Sequence, residues 1–222
     1  MVSVAIGESS DQTGAVKKKL SCRSKYGLAL ALAFALTGMA HGQCPDRPSS
    51  GTVVADAPSI VSQNGTLSAQ FTMAQSVDGS GYTHYCYKYL EGTQVVESPT
   101  LRLNPGDTLP LNILDQNSAP EIGGMKMEMS PAGEAVCGDS GTATVSSTNV
   151  HFHGLNVPPK CHQDDVITTL IQPGSPGFQY NMQIPATEPP GLYWYHPHVH
   201  GFTEFQVNGG AAGAIVVEGM EK

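Results

Sequence analysis

Short runs of alternating apolar and polar residues, separated by turn residues, follow one another from about Gln70 onward. In "PTLRLNPGDTLPLNIL", residues 99–114, Thr100–Leu103 alternates, "NPGD" turns the chain, and "TLPLNIL" begins a second strand. A period of two residues is that of a β-strand, and no window of eleven residues shows a helical stripe. The pattern therefore predicts an all-β fold, an antiparallel sandwich or barrel.

The N-terminal region differs in composition from the rest. A basic stretch, "KKKLSCRSKY", precedes the apolar run "GLALALAFALTGMA", which ends at Ala40. This order predicts a secretory signal peptide over residues 1–42, and the run is too short to span a bilayer comfortably. A single-pass anchor is the alternative. We expect an exported protein, periplasmic or secreted, with no membrane span in the mature chain.

Residues 43–70 are rich in Ser, Pro, Gly and Gln, which predicts a flexible lead-in before a folded domain over residues 71–222. Residues 43–222 carry six Lys or Arg and 17 Asp or Glu, a net charge of −11. Such an acidic chain is unsuited to nucleic acid, whose phosphates require basic patches. Four cysteines follow residue 42 without a CxxC motif, and the sequence leaves their three possible disulfide pairings open.

Five of the eight histidines lie in two short windows, "NVHFHGL" and "LYWYHPHVHG". Alternate residues of a strand share one face, so His151 and His153 present two imidazoles side by side. His196, His198 and His200 repeat the arrangement, with Pro197 typical of a strand end or edge. Convergent imidazoles predict a metal site, and they suit copper, zinc, iron or nickel. A catalytic zinc site is one alternative; a cupin site is another, although cupins normally add a carboxylate ligand.

An irregular, Gly-rich insertion occupies residues 123–142 and contains alternating methionines at 125, 127 and 129. Thioethers are soft ligands for Cu(I), so a part in copper handling is conceivable. Methionine is also a common gap-filler in apolar packing. We favour packing.

Four segments together resemble the first copper-binding domain of the multicopper oxidases, the laccase and bilirubin-oxidase superfamily. They are "SPTLRLNPGDTLPLNI", "TNVHFHGL", "IQPGSPGFQYNMQIP" and "GLYWYHPHVHG", with "NGGAAGAIVVEG" as a closing strand. The resemblance covers roughly residues 95–220. It implies a cupredoxin-like Greek-key β-sandwich that lines part of a trinuclear copper cluster.

By position, His151 resembles the ligand of a type 2 copper, and His153, His196 and His198 resemble ligands of the type 3 copper pair. His200 resembles a residue that supports the site by hydrogen bonding without binding copper. In "CHQDDV", Asp164 resembles an acidic residue near the cluster that assists proton delivery, although Asp165 stands where the family commonly has glycine. An ordinary solvated loop is the alternative for both carboxylates.

The resemblance also assigns structural roles to Tyr193, Trp194 and Tyr195, packed beneath the ligand strand. His162 has no counterpart in the family pattern. The motif HCH of a type 1 copper site does not occur, and Cys86, with His84 two residues before it, lacks a following ligand.

Members of the family take the other half of the cluster from a second domain, with dioxygen and a reducing substrate as further partners. Three interpretations therefore remain open. The chain is the N-terminal part of a multicopper oxidase, a stand-alone exported protein that binds or buffers copper, or a folded remnant. We favour the first and expect the chain by itself to be inactive as an oxidase, so whether it is an enzyme stays open.

Overall fold

Strand Thr108–Asp115 shows why the sequence forms a sandwich: Leu109, Leu111 and Ile113 are fully buried, and the residues between them are partly exposed. The computed structural model describes residues 43–118, 127–128 and 136–220. The chain divides after Thr37 into two units, and the described residues all belong to the second. The predicted signal peptide, residues 1–42, lies outside them, as do Met125 and Met129.

The described residues form fourteen strands and one short helix. The strands are β1 (Ser59–Val61), β2 (Ala69–Val77), β3 (Thr83–Glu91), β4 (Gln94–Glu97), β5 (Thr100–Leu103), β6 (Thr108–Asp115), β7 (Met127–Glu128), β8 (Cys137–Gly138), β9 (Thr142–Ala143), β10 (His151–His153), β11 (Thr169–Leu170), β12 (Phe178–Gln183), β13 (Gly191–His196) and β14 (Gly213–Val217). The helix α1 is Thr203–Asn208, an element that the sequence pattern did not predict.

Ten strands make two five-stranded sheets, in the orders β1-β5-β14-β13-β10 and β12-β6-β2-β3-β4. The remaining four form two small pairs, β11 with β8 and β7 with β9. Although β5 and β6 flank a tight turn, they belong to different sheets, so the chain crosses the sandwich there. The prediction of an all-β, cupredoxin-like Greek-key β-sandwich is confirmed.

The sheets are mixed, whereas the sequence pattern predicted antiparallel ones. Strand β5 runs parallel to both β1 and β14, and β2 runs parallel to β6. Each parallel pair joins strands that are separated by a crossover between the two sheets, which local alternation of residues does not reveal.

The core between the sheets is rich in aromatic residues whose hydroxyl groups remain paired. Tyr87, Tyr180 and Tyr195 are fully buried. Tyr87 donates to the backbone oxygen of Asn149 at 3.1 Å, and Tyr180 accepts the N–H of Val150 at 2.8 Å. A buried hydroxyl without a partner would be costly, so these bonds both satisfy the core and fix the chain just before β10.

Two disulfides join loops to the sheets, Cys44–Cys86 and Cys137–Cys161. Strand β1 also pairs with β5. Within the range predicted as a flexible lead-in, residues 43–70, the chain is thus attached to the sandwich at both a disulfide and a strand. In the part of the chain that the structure describes, no helix is long and apolar enough to cross a bilayer.

Candidate metal centre

The two histidine motifs meet because β10 and β13 are antiparallel neighbours at the edge of one sheet. Their register pairs His151 with His196 and His153 with Trp194. The period of two residues places His151 and His153 on one face, as the sequence predicted, and their ring centroids lie 5.1 Å apart. After His153 the chain turns away at Gly154, where φ is +95° and a side chain would press on the Tyr193 ring.

Three predicted ligands form a tight group. One ring nitrogen each of His151, His153 and His196 lies within 4.8 Å of the other two. His153 Nδ1 and His196 Nε2 lie 3.4 Å apart. Two nitrogens bound to one ion at about 2.0 Å and a tetrahedral angle would be about 3.3 Å apart, so this pair has the spacing of ligands that share a metal.

His198 extends the group on the side of His151. Its ring centroid lies 5.3 Å from that of His151 and 6.0 Å from that of His196. The His198 ring is not part of the group within 4.8 Å. The backbone N–H of His198 donates to Asn149 Oδ1 at 2.7 Å, which anchors the backbone at this residue. All four predicted ligands are therefore gathered at one end of the β10–β13 pair.

Asp164 contacts the site directly. His151 Nδ1 lies 3.0 Å from Asp164 Oδ1, and the same oxygen accepts the N–H of Phe152 at 2.9 Å. A carboxylate can only accept, so the His151 proton is on Nδ1 and its Nε2 keeps a lone pair for a metal. Carboxylate partners of this kind are a usual feature of metal-binding histidines.

His196 is held in the same tautomer by a different partner. Its Nδ1 donates to the carbonyl oxygen of Pro197 at 2.9 Å, and only 4% of the residue is exposed. The pKa of His196 is lowered to about 4, mainly by burial and to a smaller extent by the neighbouring histidines, against the opposing effect of the bond to Pro197. The ring is therefore neutral at pH 7, with Nε2 available as a ligand atom.

Trp194 was predicted to pack beneath the ligand strand, and that prediction is wrong. Its ring stacks on His196 at 4.0 Å and on His153 at 5.0 Å between centroids, and 37% of the residue is exposed. The reason is its position two residues before His196, which gives both side chains the same face of β13. Tyr195, on the opposite face, is buried in the core as predicted.

The remaining candidates lie outside the group. His200 is exposed, and its ring has no hydrogen bond to another described residue, so its supporting role rests on the resemblance alone. His162 stacks on Phe178 and hydrogen-bonds Gln179 O. Asp165 accepts the N–H groups of Ile167 and Thr168, which is a turn contact.

The donor atoms fit copper. Imidazole nitrogens suit copper, with zinc, iron and nickel as chemical alternatives, and two of these rings already expose a lone pair at Nε2. Cys86 is not a thiolate ligand, because it is buried in a disulfide with Cys44. The side chains of the alternating methionines lie outside the described residues.

Comparison with known proteins finds sequence similarity to the same family. Residues 142–222 match the family model described as multicopper oxidase. An iron transport multicopper oxidase of Gibberella zeae is 37% identical over 73 residues, which are 32% of this chain and 11% of that protein.

Solved structures of similar fold include two bacterial multicopper oxidases. The enzyme of Campylobacter jejuni is 22% identical, with a TM-score of 0.45, over 74% of this chain and 29% of that one. The enzyme McoA of Aquifex aeolicus is 20% identical, with a TM-score of 0.48, over 77% and 30% of the two chains. The chain thus spans less than a third of the length of these relatives.

Proposed function

Since the chain carries a multicopper oxidase domain over residues 142–222, we propose that it is the copper-binding N-terminal domain of such an oxidase. In this proposal it supplies half of the histidine ligands of a trinuclear type 2/type 3 copper cluster. The observation that carries the proposal is the antiparallel pairing of β10 with β13, which gathers four imidazoles at one strand end.

The proposed roles follow the resemblance residue by residue. His151 binds the type 2 copper, and His153, His196 and His198 bind the type 3 pair. The 3.4 Å separation between His153 Nδ1 and His196 Nε2 supports a shared ion for those two rings. Bound copper would supply one-electron redox chemistry that couples oxidation of a substrate to reduction of dioxygen.

The chain's own residues prepare the site for that chemistry. Asp164 holds the proton on His151 Nδ1, and Pro197 O holds the proton on His196 Nδ1, so both rings present Nε2. Asp164 lies 3.0 Å from His151 Nδ1 and can hold or move a proton beside the site, which is the catalytic role proposed for it.

The other ligands would come from a second copper domain, in the same polypeptide or in another chain. His153 is exposed, and Leu192, 72% exposed, continues the face of β13 beyond Trp194. An apolar, uncovered face beside the histidines supports docking of such a domain there. Dioxygen and a reducing substrate are the remaining partners in this proposal.

A second candidate function is a stand-alone exported protein that binds or buffers copper. The grouping of three ligand nitrogens within 4.8 Å favours it, because these would hold one ion without a second domain. The two candidates differ in stoichiometry and in the effect of a partner.

The cellular location is a further part of the proposal. A signal peptide over residues 1–42 followed by a mature domain would place the protein outside the cytoplasm, periplasmic or secreted. The two disulfides support this, because such bonds persist in oxidising compartments. N-terminal sequencing of the protein recovered from its producing cells tests it; a start at residue 41 or 43 is expected, and an intact residue 1 in the exported fraction contradicts it.

Copper analysis with electron paramagnetic resonance tests the main proposal. The purified chain is titrated with copper alone and then with a candidate second domain. One weakly bound Cu(II) alone, rising to three coppers with a coupled pair on addition of the second domain, supports the trinuclear site. Tight, saturable binding of a single copper that the second domain does not change supports the buffering protein instead.

A further inference from the structure

The β10–β13 ladder stops at the point where the site begins. The register of the pair joins His151 to His196, so the next pairs in sequence would be Val150 with Pro197 and Asn149 with His198. In a continued ladder the carbonyl oxygen of Asn149 would accept the backbone N–H of His198, but it accepts the Tyr87 hydroxyl at 3.1 Å instead. The backbone of His198 therefore needs another partner if its ring is to keep a fixed position beside His151.

Asn149 provides that partner with its side chain. Its Oδ1 accepts the backbone N–H of His198 at 2.7 Å, in place of the backbone carbonyl oxygen that would have continued the ladder. Its Nδ2 donates to Thr169 O at 3.1 Å and to Val166 O at 3.4 Å. Asn149 is fully buried, and both ends of its amide are used.

The amide is itself held in place by the core. Tyr87 donates to the backbone oxygen of Asn149, and Tyr180 accepts the N–H of the next residue, Val150. Buried hydrogen bonds with every partner satisfied are strongly directional, because any displacement would leave a buried polar group unpaired. Asn149 is thus a rigid point that joins the start of β10, the Val166–Thr169 segment and the HPH motif.

We propose that Asn149 is a positioning residue of the metal centre, whose side-chain oxygen takes the place of the backbone carbonyl that would continue the ladder and so fixes His198 relative to His151. It binds no metal. Through Val166 and Thr169 it also anchors the segment that follows Asp164, so one side chain sets the position of both His198 and the partner of His151. The metal-binding part of this inference rests on the proposed function; the positioning of His198 does not.

Amide hydrogen exchange of the metal-free chain tests the positioning directly. In Asn149→Ala, the His198 N–H should exchange at least about tenfold faster relative to the N–H of Ile215 in β14, since the Asn149 Oδ1 that accepts it is gone. Asn149→Asp keeps an oxygen acceptor and should retain most of the His198 protection. Asn156→Ala, which loses a bond to Glu188 instead, is the matched control and should leave His198 unchanged.

Copper titration then tests the link to the site through a double-mutant cycle. Asn149→Ala and His198→Ala should each weaken copper binding, and the loss of binding free energy in the double variant should be smaller than the sum of the two single losses. Three results would overturn the inference. They are unchanged His198 exchange in Asn149→Ala, His198 exchange in Asn149→Asp that is as fast as in Asn149→Ala, and fully additive losses of copper binding in the cycle. If the wild-type chain binds no copper, the proposed function fails, while the exchange result still decides the role of Asn149.

Discussion

His151 and His196 lie directly opposite each other in the antiparallel pair of β10 and β13, although they belong to separate histidine motifs. This one register brings the ring centroids of the two residues to 5.3 Å and places His153 beside His196. A shift by one residue would turn one motif to the opposite face of the sheet. The candidate site therefore depends on sheet pairing, and its ligands can be tested one at a time.

Removal of a ligand should reduce copper loading. His196→Ala takes away the most buried ring of the group, and His153→Ala takes away the nitrogen 3.4 Å from it. We expect both variants to bind less copper per chain than the wild type, measured by elemental analysis after gel filtration. His162→Ala is the control, because that ring stacks on Phe178 away from the group. Wild-type stoichiometry in both ligand variants would contradict the assignment.

Asp164 should act through His151 and not as a ligand. Asp164→Asn keeps the size of the side chain but loses the negative charge that holds the proton on His151 Nδ1. Copper affinity should fall about 10- to 100-fold, the usual effect of removing an outer partner of a metal-binding histidine. Isothermal titration calorimetry measures it. Asp165→Asn, in the adjacent turn, should leave copper affinity within about threefold of the wild-type value. An equal loss in that variant would mean that the effect comes from a disturbed loop and not from the contact between Asp164 and His151.

The two disulfides should differ in their effect on the site. Each closes a loop, of 24 residues for Cys137–Cys161 and 42 for Cys44–Cys86, and each contributes about 3–4 kcal/mol to stability in the chain-entropy description. Cys161 lies three residues before Asp164, whereas Cys86 lies in the middle of β3. Replacing the Cys137–Cys161 pair with serine should weaken copper binding as well as lower the denaturation midpoint.

Replacing the Cys44–Cys86 pair should lower the midpoint alone. Copper titration and urea unfolding of both double variants give the comparison. Equal copper affinities in the two would show that the loop carrying Asp164 is held without its disulfide.

Trp194 offers a direct optical measurement, because it is the only tryptophan in the chain. Its ring stacks 4.0 Å from His196, so Cu(II) bound at the histidines should quench most of its fluorescence over such a short distance. Zn(II), which binds imidazole but has a filled d shell, is the control and should shift the emission without strong quenching. Quenching that survives in His196→Ala and His153→Ala would place the bound copper elsewhere.

The sequence predicted the parts of this site that depend on local periodicity. Alternation placed His151 and His153 on one face and indicated a sandwich, and both follow from the period of two residues in a strand. The same alternation places Trp194, two residues before His196, on the face of the histidines. The resemblance led us instead to expect it packed beneath the ligand strand.

Non-local features were not accessible in this way. Which strands are neighbours, their register, and the pairing of Cys137 with Cys161 depend on contacts between distant segments, and residue types do not encode those locally. The role of Asn149 in positioning His198 becomes apparent only once the register places the two residues opposite each other.

Asp115 should make the stability of the metal-free chain depend on pH. Its pKa is raised to about 8, mainly by burial, against the opposing effect of the bond from the Asn117 N–H and with a smaller contribution from the charge of Asp139. Its Oδ2 has no hydrogen-bond partner within the part of the chain that the structure describes. A group whose pKa rises on folding binds its proton more tightly in the folded state, so its contribution is complete below about pH 4 and is lost as the pH rises towards 8.

The free energy of unfolding should therefore fall across this window, with a slope that approaches about 1.4 kcal/mol per pH unit from this group. Asp115→Asn keeps an oxygen for the Asn117 N–H and has no titrating proton, so the variant should lack this slope and exceed the wild type in stability at pH 8. Urea unfolding from pH 4 to 8 measures both chains. Asp139→Asn removes the smaller, coulombic contribution to the Asp115 pKa, so it should lower the upper pH limit of this window slightly without changing the slope inside it. Identical slopes in wild type and Asp115→Asn would show that this carboxyl titrates as it does in the unfolded chain.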